Sequence, residues 1–238
     1  YLEVAELKAN SSTNTLFASD KGEIAYLHPQ FIPLRDDRFD YTKPVDGSDP
    51  ATEWKGLTPL DRQPRVVDPA DGWVYNTNNW PYSAAGADSP KRADFPRYMD
   101  SVGENPRGVH AMRLLGKSSD MTLPSLIALA FDPQLPEFET LVPLLVADYD
   151  ALPAADPRRQ SLRGRLGLLR HWDERWGSAS MPTTLAVFWG DTLWDALSEQ
   201  ARTSRTPLYD LMAAPGSREA RLHALSDAVE RLQRHFGS

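Results

Sequence analysis

Asn76-Thr77-Asn78-Asn79 sets three carboxamides within four positions, directly after the apolar run Gly72-Trp73-Val74-Tyr75 and directly before Trp80-Pro81. Asparagines placed there can do one of two things. Their side chains can bond to nearby backbone groups and end a strand, or one of them can present a neutral N–H donor to an oxygen that gains negative charge during a reaction. The second use needs no pKa shift, only fixation by the surroundings. Asn78 is the candidate donor, with Asn76 and Asn79 as candidates for fixing it. Arg107 follows Glu104-Asn105-Pro106, where a loop gives way to a helical pattern. A guanidinium there could orient amides or a carboxylate through its fixed fork of donors, or serve a structural ion pair. Trp73, Tyr75 and Trp80 flank the amides and could wall an acyl or aromatic pocket or pack as core.

Other constellations are missing from the sequence. His28, His110, His171, His223 and His235 are scattered, without the paired histidines and glutamate of a helical zinc hydrolase. There is no GxSxG elbow, phosphate-binding glycine loop or dinucleotide fingerprint. Asp36-Asp37, Asp46 and Asp49 lack the alternation of a calcium-binding EF-hand loop and read as solvated turns. Cysteine is absent, which excludes disulfides, thiolate nucleophiles and cysteine-bound metals.

The elements that must hold these groups fall into two regimes. Through Arg107 the chain is rich in Pro, Gly, Asp and aromatic residues. Thr13–Ser19 and Glu23–His28 read as a hairpin around Asp20-Lys21-Gly22. Pro29–Pro69 reads as a long excursion, and GWVYN as a further strand that delivers the amides. From Gly108 the period becomes helical. Gly108–Leu115, Thr122–Ala130, Phe138–Asp148, Ser161–Trp172 and Ser217–Phe236 are expected helices. In Thr122–Ala130, Leu123, Leu126, Ile127 and Ala130 can share one apolar face. Thr183–Gln200 is apolar on most sides near its centre and reads as a buried helix, although its first half could be a strand. The expected organisation is therefore a sheet-bearing part, 1–107, and a helical part, 108–238, in an α+β chain.

Composition bounds the rest. The 238 residues, 41% of them hydrophobic, suffice for a substantial core in one large or two small domains. With 26 basic and 33 acidic side chains the net charge is −7 and the signs are interspersed, which argues against a general nucleic-acid surface. No apolar run reaches the roughly 20 residues of a bilayer span, and no signal-like segment opens the chain. Tyr1 in place of an initiator methionine suggests a trimmed or processed chain.

Taken in order, GEIAYLHPQFIPLRD, PVDGSDP, WKG and GWVYNTNN, followed by the helix that contains Arg107, resemble the penicillin acylase family, most of all its acyl-homoserine-lactone and lipopeptide acylases. The resemblance implies an N-terminal-nucleophile hydrolase with a four-layer αββα sandwich, of which this chain would be a part. It implies export as a zymogen, a periplasmic or secreted location, and self-cleavage into a small and a large subunit. The serine that then begins the large subunit attacks a linear amide while its own α-amine serves as base, and no organic cofactor is needed. Antibiotic metabolism or quorum quenching would be the setting, and acylated small molecules or lipopeptides the substrates. On this pattern Asn78 matches the oxyanion asparagine, Arg107 the arginine that supports it, and Asp94 a calcium-binding acid. Tyr1 does not match the serine, and Ser11-Ser12 lacks its chain-start context. The chain is thus expected to be an internal piece of the large subunit, inactive alone, with sheet edges left for other large-subunit segments and the small subunit to complete. The rival expectation is a noncatalytic binding or scaffolding fragment derived from an acylase.

Overall fold

In the computed structural model, which describes residues 1–8, 13–100 and 102–237, the chain divides into two units, Tyr1–Met121 and Thr122–Ser238. The change of residue pattern at 107/108 falls inside the first unit, in the opening turn of a helix. Ser11 and Ser12 lie outside the described residues.

The first unit opens with helix α1, Leu2–Glu6, and is built on an antiparallel sheet of β1, Thr15–Ala18, β2, Ile24–Leu27, and β3, Arg65–Val67, in the order β1-β2-β3. Asp20-Lys21-Gly22 turns the hairpin as expected, with Gly22 at φ 86°, a left-handed conformation that suits glycine. The central strand is covered on both faces because its side chains alternate. Ala25 and Leu27 pack with Ala5 and Leu60, whereas Tyr26 packs on the other side with Val66, Ala84 and Ala85. That second cluster ties the segment after the amides to the sheet.

Two local expectations are corrected. β3 lies within the stretch read as an excursion, and it escapes a periodicity reading because only three residues pair between Pro64 and Asp68-Pro69. Conversely, Trp73–Asn76 forms no ladder strand. Among the described residues its one backbone bond to another stretch runs from Tyr75 N–H to Ala84 C=O at 2.9 Å, and beyond it the amide side chains take over the bonding that a partner strand would supply.

His28, at the end of β2, is 1% exposed. Its Nδ1 lies 2.6 Å from Asn14 Oδ1, and its Nε2 is 4.0 Å from Asp100. Burial lowers its pKa from the usual histidine value, and the Asp100 charge opposes the shift without reversing it. With the folded pKa below the unfolded one, stability is full above about pH 6.5 and falls as the pH drops from there towards the folded pKa, because the unfolded chain takes up the proton first. Unfolding free energies from denaturant titrations between pH 7.5 and 5 should fall with a limiting slope of about 1.4 kcal/mol per pH unit from this residue. His28→Gln should flatten that slope, and an unchanged slope would count against the assignment.

After α2, Pro106–Leu115, the second unit is helical: α3, Leu123–Ala130; α4, Pro136–Asp150; α5, Arg158–Ser161; α6, Arg163–Arg170; α7, Met181–Ser204; α8, Leu208–Ala213; and α9, Arg218–Phe236. α7 is helical throughout, and its line Leu185, Ala186, Trp189, Leu193 and Leu197 is buried among α4, α6 and α9. Trp189, fully buried, donates its indole N–H to the Arg221 carbonyl at 3.1 Å. Arg221 is itself 1% exposed and donates to Asp148 at 2.7 Å and to the carbonyls of Met212 and Ala214, so its charge is paired inside the core. α3 carries a capping box between Thr122 and Ser125, yet its apolar residues Leu123, Leu126 and Ile127 are exposed. The chain as a whole is α+β.

Candidate functional site

Asn78 sits at the tip of the amide turn with φ 60°, in the left-handed region that asparagine enters more readily than most non-glycine residues. Its neighbours impose that conformation. Asn79 is buried, and its Oδ1 accepts from Thr77 N–H at 3.0 Å and from Asn76 Nδ2 at 3.5 Å. The Asn78 N–H points towards Asn76 Oδ1 at 3.4 Å. Thr77 is gripped from the other side, where its carbonyl accepts from Asn105 Nδ2 at 3.0 Å and its hydroxyl donates to Asn105 Oδ1 at 3.3 Å.

Glu104 ties this turn to α2. Its Oε1 accepts from Asn79 Nδ2 and from Asn105 N–H, each at 2.9 Å. Its Oε2 accepts a short bond from the Ser83 hydroxyl and a longer one, 3.4 Å, from the Tyr75 hydroxyl. Tyr75 OH also donates to Ser83 at 2.9 Å, and Asn79 Nδ2 reaches both hydroxyls at 3.1 Å. A half-buried carboxylate with four donors is well compensated. Burial, reinforced by the Glu104 charge, pushes the Tyr75 phenol up to about 12, so it stays neutral.

Asn105 then caps α2, its Oδ1 accepting from Gly108 N–H at 3.0 Å, with Pro106 at the first helical position. A side chain at this position would have to displace a neighbour. A Cβ at 108 would stand 2.0 Å from Glu104 Oε1 and 3.0 Å from Asn79 Nδ2. The carboxylate ends a flexible side chain, but four hydrogen bonds hold it in that place.

The same turn of α2 carries Arg107, whose Nη2 donates to Asn78 Oδ1 at 3.2 Å. A guanidinium has no acceptor, so the amide must turn its oxygen to Arg107 and its Nδ2 away. Among the described residues that Nδ2 has no hydrogen-bond partner, and Asn78 is exposed. The arrangement presents one neutral donor, polarised by a cation behind it and held by a locked turn. It can stabilise an oxyanion.

The flanking aromatic residues occupy different positions around this turn. Tyr75 is 6% exposed and engaged in the Glu104 network, whereas Trp73 and Trp80 are half-buried. Trp73 lies against Tyr75 with centroids 6.1 Å apart, and Trp80 meets Tyr82 edge-on at 5.6 Å. Asp94 is exposed at the end of the short turn Arg92–Asp94. Among the described residues no group of three or more His, Cys, Asp or Glu is placed to hold a metal. Calcium takes about six to eight oxygens, so Asp94 by itself does not make a site. Of the residues singled out in the sequence, the structure joins Asn78 to Arg107. Sequence reading missed Glu104 and Gly108; the available signal was Glu-Asn-Pro-Arg-Gly itself, a capping asparagine and N1 proline with a glycine inside the first turn.

A penicillin amidase family model matches residues 2–238. Over 165 residues, 67% of this chain and 18% of the relative, the sequence is 28% identical to the penicillin G acylase of Escherichia coli. The thermostable penicillin G acylase of Alcaligenes faecalis has a similar fold, with a TM-score of 0.60 at 19% identity over 100% of this chain and 50% of that one. The chain thus spans half or less of the proteins it matches.

Proposed function

This chain belongs to the penicillin amidase family, and from that premise we propose that it is part of the large subunit of an amidohydrolase that cleaves a linear acyl amide through a serine acyl-enzyme. The carrying observation is the free Nδ2 of Asn78, turned outward by Arg107 at 3.2 Å. The nucleophilic serine is assigned to sequence outside these 238 residues. Its hydroxyl oxygen bonds to the amide carbon, and its proton passes to the serine's own α-amine. The carbonyl oxygen becomes an oxyanion, to which Asn78 Nδ2 donates. Collapse of that intermediate breaks the carbon–nitrogen bond, the amine leaves with the proton, and water hydrolyses the acyl-enzyme. Trp73 and Trp80 would contact the acyl group, with Tyr75 packed against Trp73. The assembled enzyme acts on acylated small molecules or lipopeptides in the periplasm or outside the cell, after cleavage of its precursor.

Full-length protein incubated with phenylacetyl amides, acyl-homoserine lactones and acylated cyclic peptides should hydrolyse at least one series, with an initial burst of released amine where deacylation is slow. Trapping of the acyl group on the N-terminal serine of one chain, seen by intact-mass spectrometry, would identify the nucleophile. Saturable binding of these amides without any turnover would instead make the protein a binding or scaffolding relative of the acylases.

A further inference from the structure

The second unit contains a groove of about 750 Å³ lined by Tyr149, Arg159, Gln160, Arg163, Gly167 and Arg170. That volume lies within the usual range for a small-molecule site, roughly 300–1,000 Å³. Arg163, Gly167 and Arg170 recur every three or four residues along α6 and so share a face, to which α5 adds Arg159 and Gln160. Two of the arginines are pinned. Arg159 donates through Nη1 to the carbonyls of Asp150 and Leu152, at 3.3 and 2.6 Å, and lies 5.7 Å from the centroid of the Tyr149 ring. Arg170 grips the Asp150 carboxylate at 3.0 and 2.6 Å. Arg163 is exposed, and among the described residues it has neither an ion pair nor a hydrogen bond. Among the described residues Asp150 pairs one of the three guanidinium groups, which leaves the groove a net positive charge in a chain whose net charge is −7. Gly167 keeps the floor open, and a Cβ added there would meet nothing within 4 Å.

We propose that this groove binds the phosphate group of a small phosphate monoester. A tetrahedral dianion offers oxygens to several guanidinium forks at once and matches the excess charge, which a single carboxylate would not. Gln160 adds an amide able to bond a hydroxyl of the esterified alcohol, and the spare volume accommodates that alcohol.

Titration calorimetry of the protein at low ionic strength, with inorganic phosphate, a sugar phosphate and the corresponding free sugar, tests the assignment. Saturable binding is expected for both phosphates, tighter for the ester, and none for the sugar. Arg163→Gln should weaken binding at least tenfold, and so should Gly167→Leu, which fills the floor without changing charge. Arg165→Gln, which removes one charge from α6 outside the lining, should leave it unchanged. Circular dichroism and denaturant midpoints check that each variant is folded. Lack of saturable phosphate binding by the parent overturns the proposal, as does parental affinity in folded Arg163→Gln or Gly167→Leu. Equal weakening by Arg165→Gln would reduce the effect to general charge attraction and overturn it too.

Discussion

Asn78→Gly in the full-length enzyme should lower kcat for amide hydrolysis by about 10²–10³-fold, equivalent to about 3–4 kcal/mol of lost transition-state stabilisation. KM should change little, because the donor engages charge that develops after substrate has bound. Glycine is the informative replacement because Asn78 has φ 60°, a conformation glycine holds without strain. Asn78→Ala removes the same amide and keeps a Cβ in the left-handed region, without the local hydrogen bonding by which asparagine tolerates that conformation. The two variants should therefore lose the same catalytic factor and differ in stability, with alanine the lower. Asn78→Asp adds a third comparison: it retains an acceptor for Arg107 but aims negative charge at the oxyanion, and should be at least as impaired as glycine. Steady-state kinetics beside denaturant midpoints separate these effects, and turnover of Asn78→Gly within a few-fold of the parent would remove Asn78 from the oxyanion site.

Gly108→Ala is expected to act against the usual sign for a helix. Replacing an unconstrained helical glycine by alanine stabilises by up to about 1 kcal/mol, and Gly164 in α6, with open space around it, should show that gain. At 108 the new methyl group would occupy the place of Glu104 Oε1. Displacing the carboxylate gives up bonds to Asn79, Asn105, Ser83 and Tyr75, for a net loss of about 2–3 kcal/mol. Catalysis should suffer as well. Asn79 fixes Thr77, and with that hold loosened Asn78 wanders from its pose; a misplacement of about 1 Å can reduce turnover on the order of 10²-fold. Glu104→Gln keeps the size but loses the charge and one acceptor, so a smaller effect in the same direction is expected. If Gly108→Ala is more stable than the parent, the close approach at 108 is not a constraint in solution.

Much of this was legible along the chain. The hairpin on either side of Asp20-Lys21-Gly22 and the long helices of the second unit follow from local period and turn chemistry, which act over a few residues. Asn78 and Arg107 could be nominated from residue type and from the resemblance to the acylases, while their 3.2 Å contact depends on a fold that brings together positions 29 residues apart. β3 was hidden because three residues carry too little alternation to read, and its pairing with β2 crosses a long loop. GWVYN reads as a strand because Trp73, Val74 and Tyr75 have strand character, although the backbone beyond them bonds to side chains. Glu104 could not be recognised from type alone: one acid before a helix looks like solvent, and its four donors come from separated stretches. α3 shows the converse, since its apolar residues read as a packing face and nothing in their spacing says that they stay exposed.

The fit between Glu104 and Gly108 also bears on how such a chain can diverge. The two positions flank the start of α2 and compete for one volume, so they behave as a single heritable character. A lineage that acquires a side chain at 108 displaces the acid at 104 and loosens its hold on Asn79, unless the acid is shortened and another anchor is found. A lineage that keeps the acid stays bound to glycine. Substitution at either site alone is then a step downhill, and the passable route runs through paired change.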